Sequence, residues 1–118
     1  MIVEVDLYSG RPNPRFALEP AAAYELARRI EALAPAGGDA RPRDGLGYRG
    51  LRMRTGPDDG ATTTEIVVSG GLVTVRTPDG PPRRLEDHGR ELERWLLDEG
   101  AGKLDPAALA TARQDLTR

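Results

Sequence analysis

Residues 65–76 read EIVVSGGLVTVR, two β-rich runs on either side of Gly70-Gly71. Glycine takes the positive φ angles of a two-residue hairpin turn without steric cost, so the two runs are predicted to fold back on each other as antiparallel strands. The turn also sets the register. Pairing Ser69 with Leu72 places Val68 opposite Val73, Ile66 opposite Val75 and Glu65 opposite Arg76, with the apolar pairs on one face and the charged pair on the other. Turn chemistry and hydrophobic pattern agree, and this hairpin anchors everything around it.

Upstream, residues 48–55 (YRGLRMRT) alternate in the same way, Leu51 and Met53 against Arg52 and Arg54, and the polar turn GPDDGA at 56–61 joins them to the hairpin. A three-stranded antiparallel meander is predicted. Near the start, Val3, Val5 and Leu7 alternate with Glu4, Asp6 and Tyr8, the period-two signature of a fourth, half-buried strand. Pro20 at a first helical position, then Ala23, Leu26, Ala27, Ile30, Leu33 and Ala34 at spacings of three and four, predict a helix over 20–34. Residues 35–47, PAGGDARPRDGLG, have almost nothing apolar to bury and read as a flexible connection, either a lid or dispensable. After the turn at Pro78 to Pro82, the residues Leu85, Leu92, Trp95 and Leu96 predict a second helix over 85–99, which should hold the lone tryptophan against the sheet. Asp105 as N-cap and Pro106 at the first helical position open a last helix within 103–118, whose thin stripe of Leu109, Ala112 and Leu116 predicts fraying or docking on a partner. The order β-α-β-β-β-α-α gives one α+β domain over 1–118: a four-stranded antiparallel or mixed sheet with helices packed on one face.

Composition narrows the function classes. Among 118 residues, 17 basic and 19 acidic side chains leave a formal charge of -2 with signs interspersed, so neither nucleic acid nor an anionic membrane is an expected partner. Arginine outnumbers lysine, with Lys103 the only lysine; this favours planar, bidentate pairing, although a GC-rich genome gives the same bias. The absence of cysteine removes disulfides, thiolate nucleophiles and sulfur-ligated metals, and with His88 the only histidine a histidine-rich metal site is excluded as well. Glu4 and Asp6 interrupt the apolar region a signal peptide would need, and no run approaches the ~20 apolar residues of a membrane span, so a cytoplasmic bacterial protein is expected.

With the helices on one side, the other side of the sheet carries Glu4, Asp6, Tyr8, Arg52, Arg54, Glu65 and Arg76, with an arginine, a glutamate and an arginine in a row across three strands. Two readings stay open: a solvated face laced with ion pairs worth about 0–1 kcal/mol each, or a polar cleft for an anionic or zwitterionic ligand suited to arginine's fork. Next to this face lies SGRPNP, residues 9–14. Each proline holds the residue before it extended, which stiffens the loop and leaves Ser9, Arg11 and Asn13 as directional hydrogen-bonding groups. Here too two readings stand. Arg11 pairs with a carboxylate and caps the next helix while Asn13 closes a turn, or the loop contacts a ligand at little ordering entropy.

The run VDLYSGRPNP, followed by a helix, a Pro/Gly-rich gap and LGYRG at 46–50, resembles a set of small bacterial and fungal proteins that share an SGRPNP segment and an LGYRG-like segment. The resemblance brings no substrate, cofactor or catalytic residue with it. It implies that residues 9–14 and 46–50 belong to one shared feature near one end of the sheet.

No complete catalytic constellation is present. A Ser-His-Asp arrangement would need His88 with Ser9 or Ser69, and neither serine lies in a Gly-x-Ser-x-Gly elbow. His88 sits among Glu86, Asp87 and Glu91, a surface setting that still permits acid–base work; Glu4 and Asp6, about 7 Å apart on one strand face, are the other candidates. Asp58-Asp59-Gly60 lacks the alternating ligands of a calcium loop, and the glycines at 37–38, 70–71 and 100–102 lack the context of a phosphate cradle, so no metal and no cofactor is expected. The leading expectation is a module that binds a small molecule or protein non-covalently through Tyr8, Ser9, Arg11, Asn13, Tyr48, Arg49 and Arg52. A cofactor-independent cyclase, isomerase or lyase using Asp6, Glu4 or His88 is the alternative. A third is a homo-oligomeric accessory subunit joined through a sheet edge or the last helix.

Overall fold

Along the chain run β1 (Ile2–Asp6), β2 (Arg15–Ala17), α1 (Pro20–Glu31), β3 (Gly50–Thr55), β4 (Thr64–Ser69), β5 (Leu72–Arg76), β6 (Arg83–Glu86), a 3-10 turn (His88–Arg90), α2 (Glu91–Glu99) and α3 (Pro106–Leu116). The computed structural model describes residues 1–38, 41–42, 45, 47–55 and 63–117; the turn expected at 56–61, Asp58-Asp59-Gly60 with it, and positions 39, 40, 43, 44 and 46 of the 35–47 connection lie outside the described residues. The hairpin register is the one the turn dictates: Ser69 faces Leu72, Val68 faces Val73, Ile66 faces Val75 and Glu65 faces Arg76. Strands β3, β4 and β5 form the expected meander, and β1 joins its β3 side.

The sheet has six strands rather than four, all antiparallel, in the order β2-β1-β3-β4-β5-β6. Both added strands are edges. Arg15-Phe16-Ala17 is too short to show a period; what makes it a strand is Phe16, buried opposite Val3, after a proline that blocks helix. Arg83-Arg84-Leu85-Glu86 has poor β propensity, yet pairing Leu85 with Val73 fills the core and satisfies the outer groups of β5, so tertiary context wins. Leu85 is therefore a strand residue, and the second helix starts at Glu91, not at Leu85. The delay has a local cause: Gly89 (φ 64°) and Arg90 (φ 57°) both take left-handed backbone, and Asp87 reaches past them to accept the N–H groups of Leu92 (2.8 Å) and Glu93 (3.1 Å).

Three helices cover the apolar face. Val3, Val5, Leu51, Met53, Ile66, Val68, Val73 and Val75 project from the sheet into one core with Leu26 and Ile30 of α1, Leu92, Leu96 and Leu97 of α2, and Ala108, Ala112 and Leu116 of α3. Burial of this order, at about 25 cal/mol per Å² of apolar surface, is the main stabilising term of the domain. Helix α1 ends at Glu31, three residues short of its predicted end, because residues 34–36 leave it to pair with the outer edge of β6: Glu86 N–H donates to the Ala34 carbonyl and Ala36 N–H to the Arg84 carbonyl, 2.8 and 2.9 Å. Pro35, with no N–H, suits that edge. Trp95 is half-buried, packed on the core cluster, with the Arg29 guanidinium 4.6 Å over its ring. Helix α3 has Asp105 as its N-cap, accepting from Ala108 N–H, and its last turn is tied to α2 by Arg94, which donates to the Leu116 carbonyl at 2.7 Å. No helix among the described residues is long and apolar enough to cross a membrane.

Candidate functional site

Strand β1 leaves the sheet at Asp6 and the chain returns at Arg15, so SGRPNP is the loop of a wide hairpin. Gly10, at φ +86°, makes the sharp exit. The two prolines donate no backbone hydrogen bond, and the Asn13 side chain does the joining instead. Its Oδ1 accepts the N–H groups of Leu7 (3.0 Å) and Tyr8 (2.7 Å), and its Nδ2 donates to Glu4 Oε2 (2.8 Å). Asn13 closes the loop. Among the described residues Arg11 neither pairs with a carboxylate nor caps α1; its guanidinium lies 3.7 Å over the Tyr8 ring. Ser9 is exposed.

The Tyr48-Arg49-Gly50 segment meets the loop from the other side. Arg49 N–H donates to the Asp6 carbonyl, and its guanidinium donates to Asp6 Oδ1 (2.8 Å), the Tyr8 carbonyl (3.3 Å) and the Gly45 carbonyl (2.9 Å). The hydrogen bond and charge of Asp6 raise the Arg49 pKa above its already high ordinary value. Gly50 follows at φ +126°, where a Cβ would meet the Val68 carbonyl oxygen at 2.5 Å and the Ser69 Cβ at 2.8 Å, so only glycine lets β3 begin this close to β4. Ser69 Oγ donates to the Arg49 carbonyl at 2.6 Å.

Beside Arg49 the polar sheet face sinks into an open groove of about 560 Å³. Its floor is made of small or short side chains, Gly50, Val67, Ser69 and Thr74; Arg49 and Asp6 stand at one end, and Arg52, Glu65 and Arg76 stand around it. The register aligns Arg54, Glu65 and Arg76 in one row across β3, β4 and β5. The carboxylates of this face are already engaged. Glu4 takes Asn13 and Arg15 (3.5 Å), Asp6 takes Arg49 (2.8 Å) and Arg52 (3.6 Å), and Glu65 takes Arg54 (3.7 Å).

Tyr48 stands on the opposite side of the sheet from Arg49. It is buried, and its hydroxyl donates to Glu93 Oε2, so it presents no contact area at the surface. Burial, and after it the Glu93 carboxylate, push the phenol pKa far above the usual tyrosine range. Glu93 is fully buried and satisfied on both oxygens, by Gly70 N–H and Arg90 Nε on one and by Tyr48 and Arg90 Nη2 on the other. Arg90 also reaches Asp115 of α3 at 3.1 Å. Burial alone would lower the Arg90 pKa, but the hydrogen bonds and charges of Glu93 and Asp115 outweigh it and raise the value further. Burial likewise raises Asp87, opposed by its two backbone hydrogen bonds.

Sequence reasoning missed this buried centre. The signal was present: Glu93 and Asp115 each fall beside apolar-stripe positions of their helices, Leu92–Leu96 and Ala112–Leu116, with Arg90 three residues before Glu93. Of the acid–base candidates, His88 is 92% exposed on its side chain with only Glu86 Oε1 at 4.0 Å, whereas Asp6 lines the groove and Glu4 is bound to the loop. The structure thus brings Tyr8, Asn13, Arg49, Arg52 and Asp6 to one end of one face and leaves Tyr48 and His88 elsewhere. No protein-family model, curated protein or solved structure matches the chain.

Proposed function

We propose that this domain binds an anionic small molecule non-covalently in the groove of its polar sheet face, between Arg52 and Arg76. The observation that carries this reading is the state of those two side chains. Arg76 lies directly across from Glu65, yet among the described residues it has no ion pair or hydrogen bond, because Glu65 turns to Arg54. Arg52 is 56% exposed, and its nearest carboxylate oxygen, at 3.6 Å, belongs to an Asp6 whose other oxygen Arg49 already holds. Two guanidinium forks therefore stand over a floor of Val67 and Thr74 with donors to spare. Arg49, fixed by Asp6 and Tyr8, shapes one end of the groove, and the SGRPNP loop with Ser9 and Arg11 stands next to that end.

Titration of the isotopically labelled protein with phosphate and with acetate at constant ionic strength tests the reading. Amide shifts should move at Arg52, Val67, Thr74 and Arg76, and Arg52→Ala or Arg76→Ala should each weaken binding about tenfold, the scale of one lost charge-assisted hydrogen bond. Shifts scattered over all arginines, unaffected by either substitution, would refute it.

The enzyme alternative keeps one specific observation, the presence of Asp6 Oδ2 on the groove wall beside Arg52. The oligomer alternative finds less to use. The outer edge of β6 is taken by residues 34–36, β2 is only three residues long with its Ala17 carbonyl bonded to Lys103 Nζ, and α3 is docked on α2.

A further inference from the structure

The groove carries unspent hydrogen-bonding capacity of both signs. Glu65 lines it together with Arg52 and Arg76; it lies directly across from Arg76 and two residues along β4 from Val67, which faces Arg52. Its carboxylate therefore stands diagonally between the two guanidinium forks. The ion pair of Glu65 with Arg54 uses Oε2 alone, at 3.7 Å, longer than a hydrogen bond, and among the described residues Oε1 has no partner. Thr74, two residues before Arg76 on β5, lines the same stretch, and its hydroxyl makes no hydrogen bond among the described residues. Farther along the wall, Asp6 Oδ2 is 3.6 Å from Arg52, again beyond hydrogen-bond length. A bare anion set between Arg52 and Arg76 meets the Glu65 carboxylate as well, a like-charge contact that weakens its hold.

We infer that the groove takes a zwitterion with adjacent charges, an α-amino acid, its carboxylate between Arg52 and Arg76 and its ammonium on Glu65. The inference rests on the anion-binding reading above and supplies the ligand's second charge. Directly opposed residues on neighbouring strands have Cβ atoms about 5 Å apart, so ligand groups held by Glu65 and by Arg76 must themselves be close together. An α-amino acid meets that condition, because a single carbon separates its amine from its carboxylate. Its ammonium turns the like-charge contact at Glu65 into an attraction, and its N–H donors find acceptors in Glu65 Oε1 and the Thr74 hydroxyl. The α-carbon then rests on Val67, the apolar part of the floor between the two arginines.

The experiment titrates the full chain with glycine and with acetate at neutral pH and constant ionic strength, followed by amide shifts, for the wild type, Glu65→Gln and Arg76→Ala. Circular dichroism confirms that each variant is folded. Glycine should bind about fivefold to tenfold more tightly than acetate, the scale of one added charge-assisted hydrogen bond at a partly exposed site. Glu65→Gln should erase that advantage, weakening glycine and tightening acetate, and Arg76→Ala should weaken both. Glycine binding no better than acetate would overturn the zwitterion and leave the anion reading in place. An advantage that survives Glu65→Gln would overturn the seat given to the ammonium, and binding of neither compound would overturn both readings.

Discussion

Asn13 and Arg49 hold the same residue from opposite sides: Asn13 Oδ1 accepts the Tyr8 N–H at 2.7 Å, and Arg49 Nη2 donates to the Tyr8 carbonyl at 3.3 Å. The hairpin loop and the segment before β3 are thereby joined through one peptide stretch just beyond β1. The two side chains have different further duties, Asn13 toward Glu4 and Arg49 toward Asp6.

Asn13→Ala leaves the Leu7 and Tyr8 N–H groups without their acceptor in a partly buried loop. The expected cost is about 1–3 kcal/mol. Arg11→Ala removes only an exposed cation–π contact and should cost about 1 kcal/mol or less. Thermal unfolding of the two variants side by side checks this split, with the Asn13 variant melting clearly lower; equal midpoints would contradict the role given to the amide.

Glycines 50 and 10 have positive φ for different reasons. At Gly10 nothing lies within 4 Å of an added Cβ, so Gly10→Ala should cost only backbone strain, about 1–2 kcal/mol. At Gly50 strain adds to a collision with the β4 backbone, and Gly50→Ala should lose about 3 kcal/mol or more. Chemical denaturation of both variants gives the comparison.

The Tyr48 hydroxyl makes the domain alkali-sensitive. An unfolded tyrosine ionises near its ordinary value of 10.0, whereas in the native state burial and Glu93 keep the phenol protonated well beyond that. Its folded-state pKa being raised, the contribution is complete below pH 10 and is lost as pH rises above it, at about 1.4 kcal/mol per pH unit. Tyr48→Phe should cost about 1–2 kcal/mol at neutral pH, through the lost hydrogen bond, while removing this alkaline slope. Unfolding free energies of both proteins at pH 9, 10 and 11 decide it; parallel curves would count against the assignment.

Asp6 is a carboxylate on the wall of the groove proposed to hold the anion. Asp6→Asn removes a negative charge from the groove wall and frees both Arg49 and Arg52 of their counter-ion, so phosphate should bind severalfold more tightly. Calorimetric titration measures the change, and weaker binding would mean that Asp6 organises the groove more than it repels the ligand.

How far the sequence could be read depended on whether a signal was local. Glycines 70 and 71, the alternation of β3 to β5 and the Asp105-Pro106 start of α3 are encoded within a few residues, and the structure follows them to the register. Strands β2 and β6 carry no period of their own; Phe16 and Leu85 become strand residues because open edges of the sheet await them. The groove was half legible: the row Arg54–Glu65–Arg76 follows from the hairpin register, but which arginine Glu65 selects, and hence which one stays unpaired, depends on side-chain geometry. The buried centre around Glu93 was hidden because charged residues at helical spacing normally mean solvent, and only the assembled core shows that they face inward.

That centre also bears on the order of folding. Tyr48 and Glu93 are 45 residues apart in sequence, and Arg90 and Asp115 are 25 apart. None of these groups can pass from water into the interior unaccompanied, because a lone buried carboxylate or guanidinium is far more costly than an exposed one. Their desolvation therefore waits until β3, the start of α2 and the end of α3 have arrived together, and closure of this cluster belongs to the late, native side of the folding barrier. Substitutions at Glu93 or Asp115 should accordingly accelerate unfolding far more than they slow folding, making the cluster a latch on the lifetime of the native state.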